Sequence, residues 1–187
     1  MNPSPADQKK YSPSRSRSGQ TLVEALIALS ILTMGFIGII SLLTKSFQLN
    51  RTTADDTQAT YLAAEGIEIT KNLIDHDVYE QLGGDPSYSW GSCFSTTGYY
   101  YPVDYQTTDC KSLSENTPSS KPNTPLYFNS KTHSYTVNSF EATPTDFVRN
   151  ILVTNLGNEI DVQSTVTWTS GLLSNTITLE DHFYNYQ

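Results

Sequence analysis

At 187 residues the chain has room for one domain and one further element, since domains typically hold about 100–150 residues. A hydrophobic fraction of 37% lies below the ~45–50% that is usual when glycine is counted in, so any globular part combines a small core with much polar surface. Net charge is −8; setting aside the four basic residues and one acidic residue of positions 1–19 leaves seven basic against eighteen acidic, net −11, a body that repels phosphate backbones, so no nucleic acid is expected as a partner.

The chain opens with a basic stretch in which Lys9, Lys10, Arg15 and Arg17 stand against Asp7 alone. From Ala25 to Thr44 there is then no charged residue. Such a run, at ~1.5 Å per residue, spans about 30 Å, the thickness of a bilayer's hydrocarbon core. A buried helix of a soluble protein needs a large surrounding core, and the rest of the chain is too polar to supply one, so a membrane helix is expected. Lys45 and Arg51 follow the run, but the basic excess lies before it. The N-terminus is therefore expected to be cytoplasmic and residues 45–187 exported. The apolar stretch is longer than that of an ordinary secretory signal and no A-x-A-like site closes it. Glu24 stands at its head. An ionisable group there is either hydrated at the interface or functional and in need of a partner, and no residue within a turn of it supplies one.

The residues Ser18-Gly19-Gln20-Thr21-Leu22-Val23-Glu24-Ala25-Leu26, with a basic leader before and an apolar run after, closely resemble the class III signal of type IV prepilins. The resemblance implies that Gly19 precedes the bond cut by a prepilin peptidase on the cytoplasmic side. It implies that Gln20 becomes the N-methylated first residue. It implies that Glu24, the fifth mature residue, pairs with the N-terminal amine of a neighbouring subunit during assembly at an inner-membrane platform. Two departures point from a main filament subunit toward a minor pilin or pseudopilin. Gln20 stands where Phe or Met is usual, and no proline occurs between Pro13 and Pro86, leaving Gly35 and Gly38 as the weak points of the helix.

Beyond Thr44 the pattern turns amphipathic. Phe47, Ala54, Tyr61, Leu62, Ile67, Ile69, Leu73 and Ile74 recur near helical spacing, with Gly66 the one weak link. A helix from about Leu22 to about Asp75 is expected, stopped by Gly83-Gly84-Asp85-Pro86. The segment Tyr61-Leu-Ala-Ala-Glu-Gly-Ile-Glu-Ile69 also resembles the matching stretch of minor pilins of the pilus-modification (V-type) kind.

Residues 83–134 are rich in Gly, Pro, Ser, Thr and Tyr and read as loops with short strands. Cys93 and Cys110 are the only cysteines. In an exported domain they read as one disulfide, stabilising by roughly 3 kcal/mol in the chain-entropy model; in a cytosolic one they would read as two buried thiols. Without a nearby Cys/His pair they lack the four ligands of a structural zinc, and no metal is expected. Asn116–Pro125, with three prolines in ten residues, is a surface loop.

Strand signals follow at Leu126–Phe128, Tyr135–Phe140, Phe147–Asn155, Ile160–Thr169 and Asn175–Phe183, with a turn at Pro144-Thr145-Asp146. Ile160, Val162, Ser164, Val166 and Trp168 alternate with Asp161, Gln163, Thr165 and Thr167, and Ile177 and Leu179 alternate with Thr176, Thr178 and Glu180. This is an antiparallel meander with one face on the core. The expected fold is α+β: a long N-terminal helix, half in the membrane and half amphipathic, packed on a small antiparallel sheet. Its divisions are a leader (1–19), a membrane and assembly segment (20–44), an amphipathic helix (45–82) and an exported β domain (83–187).

Nothing indicates an enzyme or a cofactor. Adjacent helical residues point about 100° apart, so Asp75-His76-Asp77 reads as a solvated helix end. Asp181-His182 and His133 carry little weight, Asp104 belongs to no carboxylate pair, and no phosphate-binding loop occurs. Tyr99-Tyr100-Tyr101 is a candidate recognition patch, or else lines a sheet edge. The expected function is a structural one: a minor pilin or pseudopilin whose partners are other pilin subunits, the peptidase, the assembly platform and membrane lipid. The competing expectation is a single-pass anchored binding module or adhesin that never assembles.

Overall fold

A computed structural model describes residues 18–95, 98–109, 113, 123–171 and 173–186. The basic leader up to Arg17, Cys110 with its expected pairing to Cys93, and most of the proline-rich loop lie outside the described residues.

Helix α1 runs Ser18–Leu82. Its stop is built as the glycines suggest. Gly84 takes φ 90°, its N–H reaches the Gln81 carbonyl at 3.1 Å, and Asp85 N–H reaches the Glu80 carbonyl at 3.1 Å. This is a Schellman closure, which needs a residue without Cβ at that point.

The chain divides into two compact units at Asn50/Arg51. In the first unit every large apolar side chain from Leu22 to Leu49 is at least half exposed. Its hydroxyls bond inside the helix: Ser30 donates to the Leu26 carbonyl, Thr33 to Ser30 and Thr44 to Ile40, at 2.8, 2.9 and 3.0 Å. An apolar surface all round, with these three hydroxyls bonded within the helix, suits hydrocarbon solvent.

The second unit is a six-stranded, wholly antiparallel sheet on which α1 residues 51–82 pack. The strands are β1 (Tyr99–Tyr100), β2 (Pro125–Asn129), β3 (Ser134–Thr136), β4 (Thr143–Asn155), β5 (Glu159–Ser170) and β6 (Leu173–Tyr184). Their order is β3-β2-β4-β5-β6, with β1 on β4. The α+β expectation and the meander β4–β5–β6 hold. On β5 the alternation is complete: Ile160, Val162, Ser164, Val166 and Trp168 are buried and the residues between them are not.

The helix expected from about Leu22 to about Asp75 runs longer at both ends, and two strand assignments differ. The strand expected at Tyr135–Phe140 ends at Thr136, because Asp104 Oδ2 accepts from Thr136 Oγ1 (2.6 Å) and Val137 N–H (3.1 Å) and so takes the chain off the ladder. Pro144-Thr145-Asp146 is not a turn but the start of β4. Proline is tolerated there because it sits beside the register shift between Pro125 and Tyr127 of β2.

The core has two apolar clusters. One gathers Ile69, Leu73, Ile74, Phe94, Tyr101, Ile151, Val153, Ile160 and Val162. The other gathers Ala59, Leu62, Ala63, Leu126, Val166 and Trp168. Along α1, β4 and β5 alike, the position between them is not apolar: it is Gly66, Arg149 and Ser164.

Candidate functional site

Three places in the fold bear on function. The first is the start of α1. Gln20 and Glu24 stand one turn apart on one face, and with Val23, Ile27, Ala28 and Ile31 they line a shallow groove. Between Gln20 and Thr44, Glu24 is the single charged side chain. Added Cβ atoms at Gly19, Gly35 and Gly38 meet nothing within 4 Å among the described residues, so no contact with these demands a glycine at any of the three positions.

The second is the polar seam in the core. Arg149 is only 1% exposed. Its Nη1 donates to the Leu62 carbonyl and to Glu65 Oε2, each at 3.1 Å, and its Nη2 donates to the Val103 carbonyl at 2.7 Å. Burial pushes the guanidinium below its usual range and Glu65 opposes that. The side chain ties helix, loop and sheet together, and these partners use its donors inside the fold. Gly66 lies against the same seam. A Cβ there would come within 2.7 Å of Ser164 Oγ and 2.8 Å of Ile151 Cδ1, so what the sequence offers as a weak helical link is a point of close helix–sheet approach.

The third is the exposed face of β5–β6. Asp161 pairs with His182 across the ladder. Glu159 Oε1 lies 2.9 Å from His182 Nδ1, Glu180 Oε1 lies 3.4 Å from its Nε2, and Asp161 Oδ1 lies 4.0 Å from Nδ1. Burial first, then Glu180 and Glu159, push the Asp161 carboxyl above its ordinary range, with His182 opposing. Spacing along the chain hides this group, since its members are about twenty residues apart and meet only through the strand register.

The other sequence candidates are absorbed by the fold. Tyr101 is buried and stands edge-on to Phe94, ring centroids 5.0 Å apart, and Tyr99 packs against the same cluster, so these two serve the core; Tyr100, between them on β1, is half-buried and pairs with Leu152 of β4. Asp77, expected in solvent at the helix end, is fully buried. The loop after α1 covers it, and its Oδ2 accepts the Cys93 N–H at 3.1 Å. His76 stands edge-on to Tyr88. Tyr61 is 70% exposed: the helix presents Ala59, Ala63, Gly66 and Thr70 to the sheet instead, because close approach favours small side chains. Asp104 holds its own loop, accepting the Gln106 N–H at 3.0 Å besides the Thr136 and Val137 bonds.

Residues 14–40 match the family of the prokaryotic N-terminal methylation motif. No curated protein and no solved structure matches the chain.

Proposed function

We propose that this chain, type IV pilin-like by its N-terminal methylation motif, is a minor pilin or pseudopilin. It is cut after Gly19 by a prepilin peptidase, methylated at Gln20, held in the membrane by residues 20–44 and added to a filament through α1. The observation that carries this reading is the lone carboxylate of Glu24 at the head of a charge-free helix that lies within the matched motif. Cleavage creates an ammonium at Gln20. A carboxylate and an ammonium in low dielectric attract strongly, and either alone is costly there. Pairing between neighbouring subunits thus favours one register over simple hydrophobic sticking. Apolar surface on every side of the helix supplies the remaining contact, first with lipid and then with other subunits.

Export also puts Cys93 and Cys110 in a compartment where they pair. Intact-mass measurement of the mature chain tests all of this. Methylated Gln20 as the first residue, with the mass deficit of one disulfide, is expected. A chain that keeps Met1, or one cut beyond Thr44, refutes the reading and leaves an anchored module that does not assemble.

A further inference from the structure

We propose that the exposed face of the β5–β6 ladder binds a divalent transition-metal ion through His182, Glu180 and Asp161, with Glu159 orienting the imidazole. One donor atom from each of the three ligands lies within 4.8 Å of the others. The His182 Nε2 to Glu180 Oε1 spacing is 3.4 Å. Bonds of ~2.0–2.2 Å to a tetrahedral ion place neighbouring ligands about 3.3 Å apart, so this edge is already at bonding geometry. Closing the widest spacing asks for roughly 1.5 Å of movement from exposed or half-exposed side chains. Glu159 Oε1 lies 2.9 Å from Nδ1, and a carboxylate at that distance accepts the hydrogen of the Nδ1–H tautomer. In that tautomer the Nε2 lone pair is left for a metal beside Glu180, the carboxylate–histidine–metal arrangement.

Two further observations point to a cation. The Asp161 Oδ1 atom is shielded from solvent although its side chain is 23% exposed; it lies 4.0 Å from His182 Nδ1 and has no hydrogen-bond partner among the described residues, and leaving such an acceptor unmet costs about 1–3 kcal/mol. Glu159, Asp161 and Glu180 converge without an ion pair to any described lysine or arginine. A divalent ion answers both. Imidazole with two carboxylates suits Zn²⁺, Co²⁺ or Mn²⁺, whereas Ca²⁺ and Mg²⁺ prefer oxygen alone.

The test uses the full chain in detergent micelles, without a histidine tag and freed of metal by chelator. It is titrated calorimetrically with ZnCl₂ and in parallel with CoCl₂, whose visible absorption reports nitrogen and oxygen coordination. One ion per chain is expected. His182→Ala and His182→Gln should each weaken binding by roughly 100-fold or more, and Glu159→Gln by about 10-fold. Thr165→Ala, farther along the same face, should change nothing. Far-UV spectra of the metal-free variants should match the parent. Equal Zn²⁺ affinity in the parent and both His182 variants overturns the site and leaves only adventitious binding to surface carboxylates. So does Ca²⁺ displacing Zn²⁺ at equal concentration.

Discussion

Glu24 and Asp77 are two carboxylates in costly places, and the costs have different origins. Glu24 lacks a partner on its own helix, so its cost is relieved only by another molecule. Glu24→Ala should leave cleavage after Gly19 intact and lower incorporation into filaments by roughly tenfold or more, equivalent to about 1.4 kcal/mol. Filament fractions probed for the subunit measure this, and unchanged incorporation removes the pairing argument. Asp77 is buried inside its own fold, and burial raises its pKa from the ordinary 3.8 against the opposing bonds from Cys93 and Ser92. The native state therefore holds this proton more tightly than the unfolded chain does. Its contribution to stability is fully present below the ordinary carboxylate range and is lost as pH rises through the raised value. Asp77→Asn keeps an acceptor for the Cys93 N–H and should flatten that part of the pH profile in urea unfolding. An unaltered slope between pH 4 and the raised pKa would count against it.

Among the elements, the helix–sheet contact is where sequence reading and structure part. The β5 alternation is legible because period-two burial writes itself directly into the residue order, and the stop of α1 is legible because a Schellman closure needs glycine. Gly66 is not legible in the same way. Its type announces helical weakness, while its role comes from atoms of Ser164 and Ile151 that lie far along the chain. The same holds for the Glu159–Asp161–Glu180–His182 group, which exists only once β5 and β6 take their register, and for Asp77, which the following loop covers. Local signals carry elements; tertiary approach decides which weak or polar residue has a use. Gly66→Ala should raise helix propensity by about 1 kcal/mol yet destabilise the unit by roughly 1–3 kcal/mol, because the helix must move off the sheet. Chemical denaturation measures the net sign, and net stabilisation would show that the seam can yield.

For the whole molecule, the two units present different surfaces. The first exposes an apolar surface on all sides, and the second buries its own two clusters. Residues 51–187 should therefore express as a soluble fragment that unfolds in one cooperative step by near-UV circular dichroism, whereas the full chain needs detergent. A fragment without fixed aromatic signals would show that the first unit is needed for the second to fold.

The Arg149 seam has a kinetic consequence. Its carbonyl partners lie 87 and 46 residues away along the chain, so no short loop can assemble the group early. A guanidinium buried before Leu62 and Val103 arrive would be unsolvated and unpaired. The clamp therefore closes late, after the folding barrier, and its strength appears mainly in how slowly the native state opens. Arg149→Met should accelerate unfolding several-fold and leave refolding nearly unchanged, a one-sided shift of the chevron plot. For a subunit proposed to sit in a filament outside the cell, resistance to opening is the more useful property, since it limits how often a protease finds the chain ajar.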